Sequence, residues 1–124
     1  MVTKARKLIL VVEDDDTCRD TARNILRAAG FEVVCAREFY EAIAVIERGD
    51  RIDIALVDVK MPAGTPHGVS FARMAQQRRP QLKVIFMSGN LTPADFKMFD
   101  EADAFLHKPF APHHLISLVE REAA

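Results

Sequence analysis

Short apolar runs alternate along this chain with stretches whose apolar residues recur every three or four positions. The runs Leu8–Val12, Glu32–Cys35, Ile54–Val57, Val84–Met87 and Ala104–Leu106 are candidate strands. Four of them are almost continuously apolar, as expected for strands covered on both faces. In the first helical stretch Cys18, Ala22, Ile25, Leu26 and Ala29 share a face, and Gly30 follows as a stop. In the second, Phe39, Ala42, Ile43 and Ile46 do so, ending at Gly49. A third runs from Val69 to Arg78 and is stopped by Pro80; a fourth, weaker, opens with Thr92-Pro93. A fifth starts near Pro112 and carries Leu115, Ile116 and Val119. A helix between each pair of strands predicts a parallel sheet with helices on both faces, a (βα)5 doubly wound α/β domain over residues 1–124.

Composition narrows the class without changing the layout. The chain has 124 residues, 49% hydrophobic and 28% charged, with a formal net charge of −1. One ordinary soluble domain fits those figures, and no bulk charge holds it to nucleic acid or anionic lipid. No apolar run approaches the roughly 20 residues of a membrane span. The basic start and the apolar run Leu8–Val12 lead into acids, not into a small-residue cleavage site, so a signal peptide is not the reading. Cys18 and Cys35 match neither a CxxC motif nor a metal-ligand spacing and read as reduced core thiols of a cytoplasmic protein.

The chemistry collects at one edge. Ligands of open α/β sheets bind beyond the carboxyl ends of the strands, where the strand order reverses. The first strand ends in Glu13-Asp14, the third in Asp58, the fourth in Ser88-Gly89 and the fifth in Lys108-Pro109. Only the second, ending in Ala36-Arg37, delivers nothing comparable, as suits an edge strand. Carboxylates, a hydroxyl and an ammonium at one edge suit acyl phosphate formation, with a carboxylate as nucleophile. Several carboxylates resist joint ionisation unless a cation sits among them, and Mg²⁺, which takes carboxylates, waters and phosphoryl oxygens, fits that need. Lys108 and Ser88 would take the remaining phosphoryl oxygens.

At these residues the sequence resembles the receiver domain of bacterial two-component response regulators, the CheY-like family, across nearly its whole length. LVVED resembles the acidic pair after the first strand, LVDVKMP the phosphoacceptor loop, FMSG the hydroxyl position and FLHKPF the lysine-proline turn. The resemblance implies a flavodoxin-like sheet of order 2-1-3-4-5 and a phosphoryl group on Asp58. It implies Mg²⁺, or Mn²⁺ in its place, on Glu13, Asp14, Asp58 and the backbone carbonyl of Lys60. Asp14 is the favoured direct ligand, with Glu13 direct or acting through water. Ser88 and Phe105 become switch residues, Lys60 and Asn90 rim residues that tune phosphoryl lifetime, and the Lys108–Pro109 peptide is expected cis. The donor is a sensor histidine kinase or a histidine phosphotransfer protein. Output passes through the face of fourth helix, fifth strand and fifth helix, about residues 93–119, to a protein partner. Neither nucleic acid nor membrane is contacted directly, and phosphorylation-dependent dimerisation is left open.

Two departures stand out. The loop MPAGTPHG puts Gly68 two residues further from Pro62 than the usual receiver spacing, and Phe105 replaces a frequent tyrosine. Simpler readings exist for each residue alone: a turn aspartate for Asp58, a surface lysine for Lys108, a cap for Ser88 and plain core for Phe105. Their shared edge outweighs those readings. His107, His113 and His114 read as solvated or capping residues. The competing class is a Mg²⁺-dependent phosphohydrolase of the haloacid-dehalogenase type, which would want an acid where Lys60 stands. Within Glu13-Asp14-Asp15-Asp16, the first two are assigned to metal, Asp15 borders the pocket and Asp16 caps the first helix.

Overall fold

A computed structural model of the chain describes residues 6–62, 67–90, 97, 99–100 and 103–124. Strands β1 (Leu8–Val12), β2 (Glu32–Ala36), β3 (Ile54–Asp58), β4 (Lys83–Ser88) and β5 (Ala104–His107) form one parallel sheet. Their order is β2-β1-β3-β4-β5, as the resemblance implied. Four helices lie among the described residues: α1 (Asp16–Ala28), α2 (Phe39–Glu47), α3 (Gly68–Arg78) and α4 (Pro112–Ala123). The weaker helix expected from Thr92-Pro93 lies outside the described residues, so α4 is the fifth helix of the sequence pattern.

The continuous apolar strands have a direct physical cause. Successive side chains of a strand point to opposite faces, and both faces here are covered. Ile9 and Val11 pack with Leu26, Leu115 and Val119 of α1 and α4. Leu10 and Val12 pack with Phe39, Ile46, Phe71 and Ala72 of α2 and α3. β3 lies in the middle, and every residue of it is buried.

The helices deviate in detail from the periodicity. Val45 and Leu118 are buried although the periodicity did not mark them, Ile43 and Ile116 are only partly buried, and Ala29 is exposed at the C-cap of α1. Gly30 has φ 98°, the left-handed conformation that ends helices cheaply when no Cβ is present. The cysteines are free but only half buried, so they line the core's margin instead of filling it.

Two local features set up the carboxyl edge. The N-cap of α1 is Asp15, whose side chain accepts from Cys18 N at 2.7 Å. Asp16 is already helical and pairs with Arg19, so the capping role expected of Asp16 belongs to its neighbour. At α3, Gly68 lies so close to β3 that an added Cβ would overlap the Asp58 carbonyl oxygen. Its amide donates to Val59 O at 3.1 Å, and His67 caps the helix by accepting from Val69 N. The helix therefore starts where glycine permits close approach, whatever the preceding loop's length.

Candidate functional site

β1 and β3 are neighbours, and the chain turns to opposite sides of the sheet after them, so the crevice opens between their carboxyl ends. Asp58 is the last residue of β3 and is 6% exposed; Glu13 directly follows β1 and is 1% exposed. Asp14, beside them, is exposed. Carboxylate oxygens of these three residues lie within 4.8 Å of one another. Hard oxygen donors with one side open to water match what Mg²⁺ takes from proteins.

Lys108 enters from the end of β5. Its backbone N–H donates to Ser88 O at 2.9 Å, extending the β4–β5 pairing, and the Lys108–Pro109 peptide is cis as expected. The ammonium donates to the Glu13 carboxylate and stands 3.6 Å from Asp58 Oδ1. The ammonium that meets Glu13 is thus that of Lys108.

Three acids and one lysine set the protonation pattern. Burial works against ionised Glu13, but hydrogen bonds from Lys108, Asp58 and Cys18 overcome it and hold the carboxyl down at about 2. Burial and the Glu13 carboxylate push Asp58 up to about 7. Asp14 is also raised, by burial and by Glu13. Burial is opposed at Lys108 by its bond to Glu13, and the ammonium is held above its usual range. In this arrangement Glu13 carries the negative charge, Lys108 balances it, and Asp58 keeps its proton near neutrality. A divalent cation would remove the reason for that proton.

The remaining expected residues take outer places. Ser88 is 4% exposed, and its hydroxyl accepts from Asn90 N at 3.2 Å. Lys60 approaches Asp58 Oδ1 through its backbone N–H, at 3.3 Å, while its side chain is exposed. Phe105 is not in the pocket. It is half buried in an aromatic cluster, with ring centroids 5.9 Å from Phe86 and 4.6 Å from Phe99. His107, His113 and His114 are exposed.

Three side chains, at the site and near it, have contacts that the sequence did not announce. Arg19 donates to the carbonyls of Glu13 and Asp14. The Cys18 thiol is pushed up to about 12 by burial and by the Glu13 carboxylate that it faces. Arg73 of α3 grips Asp103 at 3.2 and 2.7 Å and lies 5.7 Å from the Phe86 ring centre. Arg19 lies three residues after Asp16, a visible helical ion-pair spacing, but nothing in that spacing announces carbonyl contacts.

A family model described as the response regulator receiver domain matches residues 9–120. The chain belongs to that family. The receiver shares its fold with the CheY-like response regulator receiver domain protein of Methanospirillum hungatei JF-1. The TM-score is 0.88 at 30% identity, covering 96% of this chain and 94% of that one. The transcriptional regulatory protein CpxR of Escherichia coli K12 is 29% identical over 113 residues, 90% of this chain and 47% of its own length. The DNA-binding transcriptional regulator NtrC of Salmonella typhimurium LT2 is 30% identical over 118 residues, 94% of this chain and 24% of its own. The receiver thus spans less than half the length of these curated relatives. Receiver domains are phosphoacceptors of two-component systems, with phosphorylation and Mg²⁺ typical of the family. The phosphohydrolase alternative finds no support. Among the described residues no helix is long and apolar enough to cross a membrane.

Proposed function

We propose that this receiver accepts one phosphoryl group on Asp58 from a phosphohistidine donor. The donor is a sensor kinase or a phosphotransfer protein of the cytoplasm. The observation that carries the assignment is the meeting of buried Asp58, Glu13 and Lys108 at the β1–β3 crevice. An ionised Asp58 oxygen forms the new O–P bond as the donor's N–P bond breaks, and the imidazole leaves with its electron pair. The Lys108 ammonium, 3.6 Å from Asp58 Oδ1, is placed to share charge with the arriving phosphoryl oxygens. Ser88, on the neighbouring strand, offers a hydroxyl donor, and the fixed Lys60 amide steadies Asp58. Glu13, Asp14, Asp58 and the Lys60 carbonyl are the proposed Mg²⁺ ligands. When bound there, Mg²⁺ supplies charge that favours ionised Asp58 and offsets the phosphoryl oxygens.

Residues 1–124 act in this reading as one signalling domain that alters protein contacts. Phe105 packs against Phe86 on β4, the strand that ends in Ser88, so a shift of Ser88 toward the phosphoryl group has a packed route to Phe105. From there it reaches the edge strand β5. The net charge of −1 favours a protein partner over direct nucleic-acid contact.

Acetyl phosphate with Mg²⁺ should add one phosphoryl group, labile to hydroxylamine and seen by mass spectrometry. Asp58→Asn should abolish the addition; normal labelling of that variant would overturn the assignment. Lys108→Ala should leave Mg²⁺ binding largely intact while removing the beryllofluoride-induced shift of Phe105 signals.

A further inference from the structure

The acidic turn after β1 is held from beneath by a residue that touches none of the expected ligand atoms. Past Val12 the chain leaves the sheet, and Glu13 N still donates to Ala36 O at 3.0 Å. The carbonyls of Glu13 and Asp14 have a side-chain partner instead. Arg19, one turn into α1, donates from Nη1 to Glu13 O at 3.0 Å and to Asp14 O at 3.4 Å. Its Nη2 is engaged by Asp16, and only 13% of its side chain is exposed. A planar fork held in this way binds several acceptors in fixed directions, which an ammonium cannot copy.

We infer that Arg19 is a positioning residue for the divalent cation: its guanidinium straps the Glu13–Asp14 turn so that both carboxylates face Asp58. The inference rests on the metal reading above and adds to it a residue outside the ligand set. Two effects of Arg19 oppose each other. Its positive charge disfavours a second cation nearby, whereas its bonds hold two mutually repelling carboxylates in place. The bonds act directly on the turn that carries the ligands. The charge is shared with the exposed Asp16, so positioning is the larger effect in this inference. The sign of the change on removing Arg19 therefore separates the two.

The test is a Mn²⁺ titration of the full chain followed by electron paramagnetic resonance. Arg19→Ala should weaken Mn²⁺ binding by about tenfold, the lower end of what orienting partners of metal ligands contribute. Arg19→Lys, which keeps the charge and most of the stem, should recover part of the loss and guards against a failure to fold. Asp16→Ala should stay within about twofold, because the carbonyl bonds remain. The metal-free carbonyl ¹³C shifts of Glu13 and Asp14 should move in Arg19→Ala while those of β5 stay. Unchanged or tighter Mn²⁺ binding in folded Arg19→Ala, even with a lowered melting temperature, overturns the strap alone. No binding by the unaltered chain overturns the metal reading together with it.

Discussion

Two clusters of buried charge, one at the crevice and one between α3 and the entry of β5, are balanced in opposite ways. At Arg73–Asp103, among the described residues, one guanidinium meets one deeply set carboxylate at 2.7 Å, with Asp100 further out at 3.9 Å. Burial opposes the ionised Asp103, but Arg73 and the Asp100 amide overcome it and hold the carboxyl below its usual range. At the crevice, Lys108 has to serve Glu13 and Asp58 with Asp14 beside them. There one acid is pulled down to about 2 and another is pushed up to about 7. The Arg73–Asp103 pair ties α3 to the entry of β5 and keeps its buried carboxylate ionised. The crevice cluster lacks a positive charge, and that lack is what a cation can fill.

The pH dependence of stability should break the comparison most visibly. Asp58 ionises near 4 in an unfolded chain but keeps its proton to about 7 in the fold. Between those values the folded chain holds the extra proton. The stability contribution is fully present below about 4 and is lost as pH rises through 7. Metal-free protein should therefore lose on the order of 2–4 kcal/mol between about pH 4 and 8. Asp58→Asn should remove most of that fall, and added Mg²⁺ should reverse it. Circular dichroism melts at a series of pH values check this; a flat metal-free profile would show that Asp58 is not the proton holder.

The Arg73–Asp103 pair should respond in the other direction. Arg73→Met leaves Asp103 without its main partner, and only 6% of that side chain is exposed. Removing one member of a fully buried pair costs roughly 3–5 kcal/mol. Arg73 is partly exposed, so the expected loss is about 2 kcal/mol. Asp103 has a lowered folded value, so its contribution exists above about pH 4 and is lost as pH falls below that. The variant's deficit should thus shrink on acidification and be indifferent to Mg²⁺. A deficit that Mg²⁺ repairs would mean that the two clusters are one.

The contrast also explains what could be read from the residue string. Two-face burial makes strands apolar at every position, so β1, β3 and β4 were legible to within a residue. Parallel strands end at one edge, so Glu13, Asp14, Asp58, Ser88 and Lys108 were legible as a set. How charge divides within that set was not, because it depends on which carboxylate the Lys108 ammonium reaches. Arg73–Asp103 escaped notice because its members lie 30 residues apart and neither ends a strand. Arg19 escaped because its acceptors are backbone carbonyls, which every residue carries.

The smallest expected effect concerns the acidic run itself, where identical residues sit one position apart. Composition favours an acid at the start of α1 but cannot choose among Asp14, Asp15 and Asp16. The choice lies with backbone conformation: Asp15 is extended at φ −73° and ψ 119°, so its carboxylate turns back to the Cys18 amide. Asp16 is already helical, and its pair with Arg19 is 81% exposed on the acid's side. Losing an N-cap side chain typically costs about 1 kcal/mol, whereas an exposed helical pair contributes a few tenths. Asp15→Ala should therefore lower metal-free stability by about 1 kcal/mol, and Asp16→Ala by less than about half of that. Urea titrations at one pH resolve the two. Equal losses, or a larger one for Asp16→Ala, would return the cap to Asp16 and make Asp15 a member of the crevice cluster after all.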